Sequence, residues 1–406
     1  MRFLLVSTFS ILIQISFASG WIQKSNFGGD ARHRTTGLSL NNKAYMGLGH
    51  YNGAGVNILY DDWWEYDPST NAWTQKADYL GGDCYHAAGF EIDNIGYVGT
   101  GRTSAIGSIL VQDFFKYDPV TNIWTPIASF AGVGRRGAVS FVLDDIAYVG
   151  TGESNVGRVG TFYKYDPQID TWTQVSSIPS ADRTSSVAFS IDNYGYVGTG
   201  DLSTGSTNDF WQYDPSLDQW TQKPNVGQLP RQEASAFSLE GKGYILTGLN
   251  SFTGDNYSDM WEYDPTTETW LQIGDFQGTS RRYLTSLVLN GNAYAGLGTN
   301  GVNFSDFWLW DKYLSLLEDE LSQTEIKIYP NPSSDYFKID LNLSKEVELN
   351  HLELDILNLS GQIERTEPIL KNNSSYTTSG LSNGKKIFHL RYKDQVLRTG
   401  NLIITK

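Results

Sequence analysis

Apolar and polar residues alternate along the chain in short runs, of which 87–92 is typical, and each run ends in two turn-prone residues before a second run begins. The pairs are Asn41-Asn42, Asp93-Asn94, Asp144-Asp145, Asp192-Asn193, Glu240-Gly241 and Asn290-Gly291. Pairs of this kind accept positive backbone φ and suit two-residue hairpins, so each marks a first and a second strand. A later Asp-Pro-x-x turn joins a third strand to a fourth, with proline presetting φ and aspartate capping the turn. The pattern predicts four antiparallel strands per unit and an all-β chain.

The units recur at a fixed period. Tyr-Asp-Pro followed by tryptophan occurs at Tyr66/Trp73, Tyr117/Trp124, Tyr165/Trp172, Tyr213/Trp220 and Tyr263/Trp270, with steps of 51, 48, 48 and 50 residues. A second signature about 20 residues upstream occurs six times: Tyr45-Met-Gly-Leu-Gly49, Tyr97-Val-Gly-Thr-Gly101, Tyr148-Val-Gly-Thr-Gly152, Tyr196-Val-Gly-Thr-Gly200, Tyr244-Ile-Leu-Thr-Gly248 and Tyr294-Ala-Gly-Leu-Gly298. The sixth unit stops after Trp310-Asp311, but Trp21-Ile-Gln-Lys near the start repeats Trp73-Thr-Gln-Lys. The N-terminal strand is therefore expected to complete the last unit and close the ring, leaving no terminal edge.

The second-strand glycines, the Tyr and Trp pairs and the aspartate before the third strand together resemble the kelch repeat, over Trp21 to about Asp311. The resemblance implies a six-bladed kelch-type β-propeller. Gly-Thr-Gly replaces the double glycine usual in that family. Glycines and tryptophans are read as packing residues between blades.

In this geometry the longer second-to-third connections, 50–61, 102–112, 153–160, 201–208, 249–258 and 299–305, share one face with the links between units. Binding residues gather on loops held by a rigid scaffold, so that face is the candidate surface. Thirteen residues before each second-strand tyrosine stand Arg32, Cys84, Arg135, Arg183, Arg231 and Arg281. The five arginines are expected to ring the channel mouth as candidate ligand-binding groups. Four residues before each third-strand tyrosine, or before Trp310, stand Asp62, Asp113, Thr161, Asp209, Asp259 and Asp306, and the five acids are expected to form an outer structural ring. The two rings can pair and fix blade orientation, some arginines can meet an anionic or hydroxyl-rich ligand, and both can hold with different arginines in each role.

Composition narrows the chemistry. The chain has 406 residues, a formal net charge of -15 and a single cysteine, Cys84. Acidity of that size opposes nucleic acid and anionic lipid as partners, and one cysteine excludes an internal disulfide. Residues 1–18 read as a secretory signal peptide, and no other stretch reaches the apolar length of a membrane span. Copper oxidases of this fold use two tyrosines and two histidines, with one tyrosine cross-linked to cysteine. Cys84-Tyr85-His86 is present, but strand alternation sends His33 and His86 to opposite sides, so no metal and no cofactor are expected. No catalytic residue is assigned from motifs. A sugar epimerase resembling the sialic acid mutarotases of this fold is the alternative to a binding scaffold, favoured if unpaired arginines meet a convergent glutamate such as Glu153 or Glu233, and a purely structural surface protein is a third reading.

After an acidic connector at 314–324, residues 325–406 change character: tryptophan disappears and alternating strands are separated by Asn, Ser and Gly turns, predicting a small β-sandwich. Ile328-Tyr-Pro-Asn-Pro-Ser-Ser-Asp335, Leu354-Asp-Ile-Leu-Asn-Leu-Ser-Gly361, Leu381-Ser-Asn-Gly384 and the final Asn401-Leu-Ile-Ile-Thr-Lys406 resemble the C-terminal sorting domain of type IX secretion substrates of Bacteroidota. Gly384-Lys-Lys-Ile-Phe departs from the usual Gly-x-Tyr. The resemblance implies the secretion machinery as a partner and a secreted or outer-surface location. Sequons at Asn256 and Asn342 are then chance matches. With the propeller at 19–313, the expected whole is a binding scaffold for an extracellular protein or polysaccharide.

Overall fold

The computed structural model describes residues 20–53, 55–103, 109–323, 326–343, 349, 351–393 and 395–406. The expected signal peptide lies outside them. Two compact units result, one of Trp21–Asp311 and one containing Lys312–Lys406.

In the larger unit, six four-stranded antiparallel sheets follow one another along the chain. The first consists of Thr36–Leu40, Lys43–Gly47, Trp63–Asp67 and Ala72–Gln75. Successive first strands touch in a closed cycle, from Thr36–Leu40 through Ala88–Ile92, Val139–Leu143, Val187–Ile191, Ser235–Leu239 and Thr285–Leu289 back to Thr36–Leu40. That cycle is the inner wall of a β-propeller. In the last sheet Trp21–Lys24 pairs antiparallel with Phe307–Trp310, so both ends of this unit meet in one sheet.

Local chemistry explains the hairpins and the joints. Asn41 and Asn42 sit at φ 48° and 61°, and Asp144 and Asp145 at 48° and 59°, the left-handed pair that a tight hairpin matching strand twist requires. The Tyr/Trp repeat joins neighbouring sheets by hydrogen bonds as well as by packing. Asn71 Oδ1 accepts from Tyr66 Oη (2.9 Å) and from the Ser25 amide of the neighbouring sheet (2.9 Å), while the Trp73 indole donates to the Ser25 carbonyl (3.2 Å). Asn122 with Ala77, Asp170 with Ala128 and Asp218 with Ser176 repeat this clasp. The fifth sheet has Glu268 at the acceptor position and faces Pro224, which has no amide to offer. There Trp270 still reaches the Pro224 carbonyl (3.0 Å), but Tyr263 Oη is buried without a partner.

In the smaller unit, Lys327–Tyr329, Tyr336–Asp340 and Asn373–Thr377 form a three-stranded sheet. Ile363–Pro368, Leu352–Leu357, Gly384–Tyr392 and Gln395–Ile404 form a four-stranded one. The segment expected as a plain connector is instead a helix, Lys312–Gln323. Leu314, Leu317 and Leu321 fall on one helical face and are buried, which gives an acidic segment a reason to fold. No helix among the described residues is long and apolar enough to cross a membrane.

Candidate functional site

Two rings of side chains begin in the short segment that precedes each first strand, and they serve different ends. The outer ring contains the arginines singled out above. Arg32, Arg135, Arg183, Arg231 and Arg281 are at most 1% exposed. Each uses Nη1 to hold the carbonyl of the residue before the last glycine of the second-strand signature: Leu48 (3.2 Å), Thr151 (3.0 Å), Thr199 (3.0 Å), Thr247 (3.1 Å) and Leu297 (3.0 Å). Those residues all have left-handed φ near 60°, which turns their carbonyls toward the guanidinium.

Four of these arginines also grip an aspartate with both terminal nitrogens. Arg183 meets Asp209 at 2.7 and 2.6 Å and Arg231 meets Asp259 at 2.7 and 2.7 Å, while Arg32–Asp62 and Arg281–Asp306 are paired in the same fork. The indoles of Trp64, Trp211, Trp261 and Trp308 donate to the same carboxylates. Burial alone would raise the Asp209 pKa, but the hydrogen bond and charge of Arg183 outweigh it and hold the carboxyl below its usual range.

Unit three has Thr161 in place of the acid, bonded to Arg135 Nη2 at 3.1 Å, and burial without a carboxylate pushes Arg135 down to about 10. In unit two Asp113 has no arginine opposite it, because Cys84 stands there, donating weakly to the Thr100 carbonyl (3.6 Å). Burial pushes the Cys84 thiol up to about 12, which keeps it a protonated packing residue. Of the two arrangements that the sequence leaves open, the pairing of the rings is the one seen for Arg32, Arg183, Arg231 and Arg281. Their side chains turn toward the third strand, so a ligand in the channel would not meet them.

The inner ring lies two residues further on, at Arg34, His86, Gly137, Ser185, Glu233 and Tyr283. All six have left-handed φ, between 55° and 63°. Backbone amides link them in order around the axis: His86 to Arg34 O (3.0 Å), Gly137 to His86 O (2.9 Å), Ser185 to Gly137 O (3.2 Å), Glu233 to Ser185 O (3.0 Å) and Tyr283 to Glu233 O (2.7 Å). Five of the six, all but Gly137, line an axial cavity of about 160 Å³. The left-handed residues also break strand alternation. His33 and His86, expected on opposite sides, both bring their rings to Tyr283, at 5.5 and 5.3 Å.

The inner ring is chemically uneven. Tyr283 Oη donates to Glu233 and accepts from Arg34 Nη2 (2.7 Å), and Arg282 Nε lies 3.1 Å from the other Glu233 oxygen. Arg34 also lies 2.9 Å from His33 Nε2 and packs over the Tyr283 ring at 4.2 Å. Burial, then the Arg34 charge, pushes His33 down to about 3 and His86 well below the usual imidazole range. Burial likewise lowers His50 and raises Tyr283, so the imidazoles stay neutral and the phenol stays protonated near neutral pH. Arg136 borders the same mouth, bonded to Tyr85 Oη (2.9 Å) and to Glu153 (2.6 Å).

Among these guanidinium groups Arg34 stands apart. Its side-chain partners are imidazoles and a phenol, no carboxylate is paired with it among the described residues, and its Nε is buried without a hydrogen-bond partner. His33 already uses Nδ1 on Asn303 (2.7 Å), and no group of three or more His, Cys, Asp or Glu among the described residues is arranged to hold a metal ion. The arrangement suits recognition of an anion by hydrogen bonds and charge, beside a phenol–carboxylate pair able to pass a proton. One sequence signal does find this ring. At eleven residues before each second-strand tyrosine, the residue type differs in every unit, within a pattern that otherwise repeats.

Known proteins resemble each of the two units. Residues 327–405 match the family model of the secretion system C-terminal sorting domain, which indicates export by type IX secretion to the cell surface or beyond. The fold of the larger unit is that of the solved structure of YjhT, with a TM-score of 0.61 and 19% identity over 70% of this chain and 95% of that one. Curated relatives include N-acetylneuraminate epimerase 2 of Escherichia coli O6:H1 and the N-acetylneuraminate epimerases of Shigella flexneri serotype 5b and Escherichia coli K12. Each is 34% identical over 118 residues, 28% of this chain, so the chain spans about 30% of the length of the relatives it matches.

Proposed function

We propose that this protein is a secreted or surface-attached six-bladed kelch-type propeller that recognises a carboxylate-bearing sugar, of the N-acetylneuraminate class, on an extracellular protein or polysaccharide. The C-terminal strands form a β-sandwich that engages the secretion machinery, after residues 1–18 have directed the chain into the export route. Arg34 carries this reading: it stands on the axis with uncharged partners and an unpartnered Nε, so a sugar carboxylate entering the mouth completes its bonding. The partial likeness to N-acetylneuraminate epimerases supports the sugar class. Titration of N-acetylneuraminate by calorimetry is expected to show binding that Arg34→Ala weakens about 10- to 100-fold, the loss of a hydrogen bond to a charged group. Equal affinity in wild type and variant would refute the site.

A second reading is favoured by the Tyr283–Glu233 contact in the same cavity. A carboxylate sharing a phenol proton beside the bound sugar could speed exchange between its anomers, with Glu233 and Tyr283 moving the proton. NMR of anomer interconversion decides: acceleration abolished in Glu233→Gln supports an enzyme, and the uncatalysed rate supports a binding scaffold.

A further inference from the structure

Unit five departs from its neighbours on the loop face, away from the axis. In units one, three, four and six the outer-ring arginine uses Nε to hold the carbonyl two residues earlier: Asp30 (2.9 Å), Val133 (3.1 Å), Ala181 (3.4 Å) and Thr279 (2.8 Å). In unit five that carbonyl belongs to Leu229, and the intervening residue is Pro230. Proline restricts the residue before it to extended backbone, and no bond to this carbonyl forms: Arg231 Nε is buried without a partner. Five residues before the arginine the unit carries Val226, as unit four carries Ile178, where Phe27, Phe130 and Phe276 pack against Arg32, Arg135 and Arg281 at 5.2, 4.8 and 5.0 Å. Arg231 retains an aromatic neighbour on one side only, Tyr257 at 4.8 Å.

Beside these substitutions lies a cavity of about 470 Å³, lined among others by Leu229, Arg231, Asn256, Tyr257, Trp261 and Gln272. That volume falls in the range of small-molecule sites. Asn256 Oδ1 is, like Arg231 Nε, buried without a partner. Both residues line the cavity, so a small shift of either side chain would present an unfilled donor or an unfilled acceptor to a hydroxyl group, which both donates and accepts. Trp261 and Tyr257 add aromatic surface. The Arg231 charge is already neutralised by Asp259, and Asp275 lies at the same cavity, so the site has no excess positive charge to attract an anion.

We infer that this cavity is a second binding site, specific for an uncharged sugar ring, separate from the axial mouth. The full chain can be tested by saturation-transfer NMR against methyl α-glucoside, methyl β-galactoside and methyl α-mannoside. At least one is expected to receive saturation, with affinity about ten-fold weaker in Asn256→Leu, the effect of removing one of few polar contacts, and unchanged in Arg34→Ala. Pro230→Ala, which frees the Leu229 carbonyl to accept a hydrogen bond from Arg231 Nε, should weaken binding in the same direction. Gln272→Leu gives an independent reading if Asn256→Leu does not fold, as judged by its thermal melt. The inference is overturned by transfer to none of the three glycosides, by unaltered transfer in the cavity variants, or by loss of transfer in Arg34→Ala.

Discussion

The two arginine-bearing rings begin two residues apart in every unit and differ in almost every other respect. The outer ring uses the same residue types nearly throughout, is buried, and closes its charges on aspartates of its own sheets. The inner ring uses a different residue in each unit, faces an open cavity, and leaves Arg34 with no paired carboxylate among the described residues. Repetition within a symmetric scaffold marks what each unit needs in order to hold its shape. A ligand is asymmetric, so its site is found where the repeat is allowed to lapse.

This contrast can be broken most forcefully at the outer ring. Asp209→Ala leaves the Arg183 charge buried and unpaired and is expected to cost about 3–5 kcal/mol in denaturant unfolding, while Arg34→Ala, which leaves no charge unpaired, should cost clearly less, about 1–2 kcal/mol. Equal losses in the two variants would erase the distinction. The pH dependence follows from the same pair. The folded pKa of Asp209 lies below its unfolded value, so its contribution is complete above the ordinary carboxylate range and is lost as pH falls through the folded value. Asp209→Asn should therefore flatten the acid limb of the stability curve.

A smaller effect is expected in unit three, where Thr161→Asp would supply the carboxylate that Arg135 lacks. Thermal unfolding should show a gain of about 1.5 kcal/mol and a rise in the Arg135 pKa from its depressed value; a loss would mean that the threonine hydroxyl is already the better partner. Smallest of all, Pro224→Ala combined with Glu268→Asn would restore the missing clasp of unit five and satisfy Tyr263. A gain of about 1 kcal/mol or less is expected, together with loss of the Glu268–Lys223 ion pair (2.6 Å). A destabilised double variant would show that the clasp matters less than the ion pair it replaces.

Much of the scaffold is legible in the sequence because it is written several times over: the hairpin pairs, the Tyr/Trp spacing and the return of Trp21 to the last sheet all follow from recurrence. The inner ring was hidden by the same habit of reading. Recurrence points to Arg183 and its equivalents, whereas Arg34, Glu233 and Tyr283 stand at a position with no shared residue type. Alternation failed at His86 because its left-handed backbone turns the ring by a step that period two does not anticipate. The helix at Lys312–Gln323 was concealed by its acidic residues, although Leu314, Leu317 and Leu321 keep helical spacing. The sorting segment was recognisable because its phrases occur in order up to the final residue.

The pairing of Trp21 with Trp310 joins positions about 290 residues apart in the chain. Such a contact carries a large loop-closure cost and forms only after the sheets between have taken up the slack. The first strand of the propeller therefore cannot join its sheet before the last strand is present. Until Phe307–Trp310 arrives, Trp21–Lys24 has no sheet to join, and a chain halted early is left with an unsealed seam.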